Sequence, residues 1–227
     1  MPAISANPPS ASVIAAVNVV KQFGRFAALR GVTAEFDAGR LHVIVGDNGA
    51  GKTTLLRVLA GLANLTSGTI SIFGKPPREA YRDIGYMAHP SLLYDEMSGM
   101  ENLCYFAQLY GAVDDARCKA VIRSVGLDPA LARPVSQYSQ GMRQRMSLAR
   151  ALVHDPKVLL LDEPLSNVDM PSAREMVNLL KSLRDSGKTI FLVTHQAAQL
   201  EGAADEFLWM RDGLIVDRTA SFAEGAK

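Results

Sequence analysis

Cysteine is scarce in this chain: Cys104 and Cys118 are the only two among 227 residues. They lack the spacing and the partners of a metal site, and a chain of this size does not depend on one disulfide, so reduced thiols are expected. Excess charge of either sign is also missing. Lys and Arg total 24 and Asp and Glu 23, a net charge of +1, which excludes a strongly basic nucleic-acid footprint and an acidic tail. Long apolar runs are absent as well: stretches such as Val158–Leu161 are short, whereas spanning a bilayer takes about 20 residues. Met1–Ser12 contains three prolines but no basic cluster or apolar segment, so it reads as a loose leader and not as a signal peptide.

Hydrophobic residues make up 48% of the chain and charged residues 21%, the composition of a soluble globular protein with a full core. Short β-branched runs recur at Val13–Val20, Leu41–Val45, Thr69–Phe73, Ile84–Met87, Val158–Leu161 and Thr189–Val193. Helical patterns separate several of them, which predicts an α/β fold with a largely parallel sheet. Leu41–Val45, Val158–Leu161 and Thr189–Val193 read as apolar throughout, as strands covered on both faces do. Val13–Val20 and Thr33–Asp37 alternate more and predict an antiparallel patch. Glu206–Arg211 and Leu214–Arg218 flank Asp212-Gly213, a two-residue hairpin signal.

From about Ser91 to Asp155 the strand signals stop. Ser98-Gly-Met-Glu101 forms a capping box that opens an amphipathic helix ended by Gly111. Further helices fit Asp114–Val125, ended by Gly126, and Gln140–His154, stopped by Asp155-Pro156. The expected organisation is a leader over 1–12 and one domain over 13–227. A core at about 13–90 and 156–227 would then hold a helical part at about 91–155.

Leu41–Val45 runs into Gly46-Asp47-Asn48-Gly49-Ala50-Gly51-Lys52-Thr53-Thr54 and then an apolar helix over Leu55–Leu62. This is a complete G-x-x-x-x-G-K-[ST] match in a strand–loop–helix setting. Gly46, Gly49 and Gly51 allow the backbone N–H groups to close around a phosphate at a helix N-terminus. Lys52 is placed to reach β and γ oxygens, and Thr53 to ligate Mg²⁺. Such a site needs a carboxylate for the metal and a group that activates water. Val158–Leu161 ends in Asp162-Glu163-Pro164, at the carboxyl end of a strand, where α/β sheets bind ligands. Asp162 is assigned to the metal and Glu163 to the water.

Tyr138-Ser139-Gln140-Gly141-Met142-Arg143-Gln144 adds a further motif. With it, the series resembles the nucleotide-binding subunit of ATP-binding-cassette (ABC) transporters, with Gln140 and Met142 departing from the family's Ser-Gly-Gly-Gln signature. The resemblance implies an α/β P-loop NTPase (RecA-like) core with an antiparallel β patch and an inserted all-helical lobe, and an ATPase using ATP and Mg²⁺. It implies that Phe23 stacks on adenine, that Ser139, Gln140 and Gly141 bind a γ-phosphate, that Ser166–Asp169 is the D-loop and that His195 senses the γ-phosphate. Nucleotide contacts then fall on Gly46, Asn48, Gly49, Ala50, Gly51, Lys52, Thr53 and Thr54, with Lys52, Glu163 and His195 as the catalytic set.

The family places a metal-contacting Gln after Ile84–Met87, where this chain has His89. Mg²⁺ prefers oxygen ligands, so a neutral imidazole suits a metal-bound water better than the metal itself. That replacement, with Leu93–Ser98 and Glu101–Leu103, is similar to the haem-exporter ATPases of cytochrome c maturation. The partners implied are a second, head-to-tail copy and separate transmembrane permease subunits, with no nucleic acid. The place implied is the cytoplasm, peripheral on the inner face of the cell membrane. Alternatives are a drug, lipid or polysaccharide exporter ATPase, or a soluble non-transport ABC ATPase, which would usually carry two cassettes or a coiled-coil insertion. A nucleotide-binding regulatory module would lack Glu163. Arg143, Arg145 and Arg150 read as a solvated helix face, and His42, His154 and the cysteines are given no role.

Overall fold

The computed structural model describes residues 12–111 and 114–225. The leader expected over 1–12 lies outside them except for Ser12, which already opens the first strand. The described chain begins with β1 (Ser12–Phe23) and β2 (Phe26–Asp37), an antiparallel hairpin joined later by β4 (Ser67–Ile72). β3 (Leu41–Val45) and α1 (Lys52–Leu59) come between them in sequence. The expected antiparallel patch is this three-stranded sheet, in the order β2-β1-β4.

The main sheet comprises β3, β5 (Ile84–Met87), β6 (Val158–Asp162), β7 (Thr189–Val193), β8 (Glu206–Arg211) and β9 (Leu214–Thr219). Its order is β5-β6-β7-β3-β8-β9, parallel except for the terminal hairpin. Asp212 and Gly213, both at positive φ, make the turn that their residue types predict.

Strand period explains the core. Side chains alternate between faces, so an all-apolar strand must serve two cores. Leu159 and Leu161 of β6, with Ile190 and Leu192 of β7, enter one cluster. Val158 and Leu160, with Phe191 and Val193, enter the other, which α1 and the antiparallel sheet cover. Removing one such fully buried Leu side chain costs about 2–5 kcal/mol.

His42 breaks the apolar reading of β3. It is fully buried, stacks on Phe191 at 4.7 Å and shares a hydrogen bond of 2.9 Å between Nδ1 and Glu206 Oε2. Arg218 donates to the same carboxylate, so this polar group joins β3, β8 and β9.

Three helices occupy the interval between β5 and β6: α2 (Gly99–Leu109), α3 (Asp115–Ser124) and α4 (Gln140–Leu152). The Ser98–Glu101 capping box is formed, with the Glu101 carboxylate 2.7 Å from the Ser98 amide. Leu103, Ile122 and Met146 from the three helices share one apolar cluster with the sheet. The remaining helices are α5 (Met170–Asp185), capped by Asp169, and the short α6 (Phe222–Gly225).

The arginine face is not solvated as expected. Arg143 donates to Asp95 at 2.6 Å, Arg145 pairs with Glu175, and Arg150 lies inside the fold, donating to the Tyr86 carbonyl at 2.9 Å. Each guanidinium is engaged because α4 is surrounded by neighbouring elements, which periodicity along one helix does not disclose.

Candidate functional site

β3, β6 and β7 place their carboxyl ends side by side: Ile44 and Asp162 both pair with Val193. The loops leaving the three strands therefore open on one edge of the sheet. Backbone space is tight at the first of them. Gly46 has φ 153°, and a Cβ there would meet the Met210 carbonyl oxygen at 2.2 Å. At Gly51, with φ 101°, a Cβ would meet the Ala28 carbonyl oxygen at 2.5 Å. No side chain larger than hydrogen fits either position. Gly51 is also the N-cap of α1 and leaves the first turn without a side-chain cap. Uncapped N–H groups at a helix start form an anion seat.

Lys52 is buried and folded over this loop, donating from Nζ to the Gly46 and Asp47 carbonyls at 2.7 and 2.9 Å. Burial lowers its pKa, against the opposing pull of Glu163, Asp47 and Asp162. A desolvated ammonium held only by neutral carbonyls is suited to an arriving anion. The Thr53 hydroxyl donates to Asp162 Oδ1 at 3.1 Å. Asp162 is buried, and desolvation raises its pKa while Thr53, His89 and Lys52 pull it down. A hydroxyl and a buried carboxylate form the oxygen donor pair that suits Mg²⁺, which takes its other ligands from water and phosphate.

Glu163 follows Asp162 in the left-handed region, φ 53°, a conformation costing about 1–3 kcal/mol for such a residue. Its carboxylate accepts the His195 amide at 3.3 Å and stands 3.5 Å from His195 Nε2. The group lines a cavity of about 330 Å³ that also takes in Asn48, Gly49, Gly51, Lys52, Thr53, Thr54, His89 and Asp162. Gly46 and Ala50 shape the loop from behind: the Gly46 carbonyl holds Lys52, and Ala50 exchanges hydrogen bonds with Asp47 and Gly213.

The aromatic residue in this lining is Phe26 and not Phe23. The two residues are partners in strand register across the β1–β2 turn, both more than half exposed, and Lys21 covers the Phe23 ring from 4.6 Å. Sequence position offers no means of choosing between rings on either side of Gly24-Arg25; the side facing the loop is decided by how the hairpin sits on the sheet.

Ser139, Gln140 and Gly141 lie outside this cavity. Ser139 caps α4, accepting the Met142 amide at 3.3 Å, and is exposed together with Gln140. A second cavity of about 380 Å³, lined by Tyr138, Gln140, Arg143, Gln144 and Asn167, meets the first at His89, a lining residue of both. Gln144 and Ser166 are partners that motif reading passed over as a pair: Gln144 Nε2 donates to the Ser166 carbonyl and hydroxyl at 3.3 Å each.

A strand–loop–helix phosphate seat with a buried lysine, a Thr–Asp donor pair and a glutamate at the next position defines a P-loop nucleotide hydrolase. Residues 29–166, more than half the chain, match the family described as ABC transporter. The chain belongs to the ABC transporter family and is an ATP-binding, ATP-hydrolysing subunit of it. It is similar to the bacitracin transport ATP-binding protein BcrA of Enterococcus faecalis, with 32% identity across 90% of this chain and 68% of that protein. The ABC transporter ATP-binding protein NatA of Bacillus subtilis is 34% identical over 85% of this chain and 82% of its own. Among solved structures, the dimeric post-hydrolysis state of the ATP-binding cassette MJ0796 bound to ADP and Pi superposes with a TM-score of 0.81 at 25% identity, covering 91% of this chain and 98% of that one.

Proposed function

We propose that the chain powers export through a separate membrane subunit, by hydrolysing ATP held between two head-to-tail copies of itself. The observation that carries this is the separation just described: Ser139 caps a helix whose N-terminus is exposed and lies outside the cavity of the chain's own phosphate seat. A phosphate-binding helix end with no phosphate of its own to meet calls for one presented by another molecule.

In each copy the first turn of α1 and Lys52 hold the β- and γ-phosphates. Thr53 and Asp162 would hold Mg²⁺, whose charge would offset that of the phosphate oxygens. His89, which lines the cavity, would meet a metal-bound water and not the metal itself. Glu163 accepts the proton of the attacking water, and His195 aligns that carboxylate and touches the γ-phosphate. Phe26 or Phe23 stacks on adenine. Ser139, Gln140 and Gly141 of the second copy close the pocket, and loss of the γ-phosphate reopens it.

Among the described residues no helix is long and apolar enough to cross a membrane. In this reading permease subunits form the membrane path, with this chain peripheral on their cytoplasmic side. The link fits the region Tyr86–Asn102. There a groove of about 240 Å³ is walled by Tyr86, Leu92, Phe106 and Tyr110, and Leu92 is half exposed.

Export is supported by the name of the fluoroquinolones export ATP-binding protein of Mycobacterium tuberculosis, and transport by those of the bacitracin and Streptococcus pyogenes lantibiotic relatives. Haem export for cytochrome c maturation rests on His89 and its neighbouring residues alone, and none of these relatives names it. Affinity purification of the intact chain from its native membrane tests the transport reading. The expected result is ATP-hydrolysing complexes with a multi-span protein; recovery only with ribosomes or DNA would refute it.

A further inference from the structure

We propose that Gln144 is a positioning residue that ties the signature helix α4 to Glu163 through Ser166. The proposal rests on Glu163 being the group that activates water. Glu163 adopts a backbone conformation unfavourable to a long side chain, and such a residue persists only when its surroundings over-determine it. Two groups do so. The Val193 carbonyl of β7 accepts the Glu163 amide at 2.8 Å. On the other side the Glu163 carbonyl accepts both the Ser166 amide, at 3.2 Å, and the Ser166 hydroxyl, at 2.9 Å.

Ser166 is itself held from a distant element. Its hydroxyl has donated its single proton to Glu163, so its oxygen is left as an acceptor, and Gln144 Nε2 donates to that oxygen and to the Ser166 carbonyl. One amide group thus holds Ser166, the residue that closes the turn on Glu163, through two contacts. Gln144 lies five residues after Ser139 on the same helix. An α-helix transmits displacement of its first turn to its second with little loss, because its backbone bonds run along the axis. The surface that would meet a phosphate on a second copy is therefore coupled to the carboxylate acting on this copy's own nucleotide. Gln144 does not line the cavity of the phosphate seat, so its effect falls on the orientation of Glu163 and not on nucleotide affinity.

The test is steady-state ATP hydrolysis and nucleotide binding by the full chain carrying Gln144→Leu, Ser166→Ala or both. Each single change should lower kcat about fivefold, a size within the range of weak neutral hydrogen bonds. Affinity for ATP and thermal stability should stay at the unaltered values, which a merely structural role would not allow. The double variant should be no slower than the slower single variant, since both changes cut the same connection. If Gln144→Leu misfolds, Gln144→Glu keeps the size and removes the donor, and carries the same expectation. Full kcat in every variant, or losses that simply multiply in the double, would overturn the proposal. Glu163→Gln run in parallel separates the two readings: native turnover in that variant removes the premise, whereas its inactivity together with full activity of Gln144→Leu removes only the relay.

Discussion

Two helix N-termini in this chain, both assigned to phosphate in the proposed function, are finished to different degrees. The start of α1 is enclosed: Gly46 and Gly51 are pressed against neighbouring carbonyls, Lys52 is buried over the loop, and Asp162, Glu163 and His195 face it across a cavity of about 330 Å³. The start of α4 is open, with Ser139 and Gln140 exposed and outside that cavity. A seat that burial and charge complete within one chain binds its ligand alone. An uncovered one contributes only when another molecule brings the phosphate to it, so the two ends should respond differently to mutation.

The largest difference is expected at the enclosed end. Glu163→Gln should reduce steady-state ATP hydrolysis by roughly 10²–10⁴-fold, the usual contribution of a positioned general base, with nucleotide affinity kept. Hydrolysis at the native rate would leave the strained Glu163 without a catalytic purpose. Next, Lys52→Ala should weaken ATP binding by roughly 10–100-fold in calorimetry, as expected from hydrogen bonds to a charged group of about 1.5–3 kcal/mol. Ser139→Ala should leave binding to the isolated chain unchanged and slow hydrolysis most at low protein concentration. Equal losses of ATP affinity from both changes would erase the distinction between the two ends.

A smaller effect sharpens the enclosed end further. Phe26→Ala should lower affinity for ATP a few-fold, from loss of stacking worth about 0.5–1.5 kcal/mol. Phe23→Ala, whose ring lies outside the cavity, should not. The reverse result would return the adenine to Phe23.

The smallest effect lies outside both ends. Burial pushes the Glu206 carboxyl up, but hydrogen bonds from His42 and Arg218 outweigh it and hold the pKa at about 2. Because the folded value lies below the unfolded one, Glu206 contributes stability above the usual carboxylate range and loses it as pH falls towards 2. Thermal unfolding of Glu206→Gln should show a lower Tm at neutral pH and a weaker fall in Tm across that acid interval, with ATP hydrolysis at neutral pH otherwise unchanged.

Much of this was legible from residue order. The P-loop strand, the Ser98–Glu101 cap and the Asp212-Gly213 turn are local signals in which a few neighbouring side chains decide the backbone. The apolar runs Val158–Leu161 of β6 and Ile190–Val193 of β7 likewise announced a sheet covered on both faces. What escaped depends on contacts distant in sequence. His42 is tolerated in a central strand because Glu206 and Arg218 reach it from two other strands. Arg150 is drawn inside by the Tyr86 carbonyl, and only the seating of the hairpin turns Phe26 towards the cavity. The pairing of Gln144 with Ser166 joins residues 22 apart and has no periodic trace.

The central claim is that the open end of α4 completes a nucleotide site on a second copy. Sedimentation of Glu163→Gln with and without ATP and Mg²⁺ tests it most directly. The account predicts a monomer without nucleotide, a dimer with ATP, and a return to monomer when Ser139 and Gly141 are both replaced by bulky residues. A Glu163→Gln chain that binds ATP stoichiometrically and stays monomeric at every concentration would contradict it.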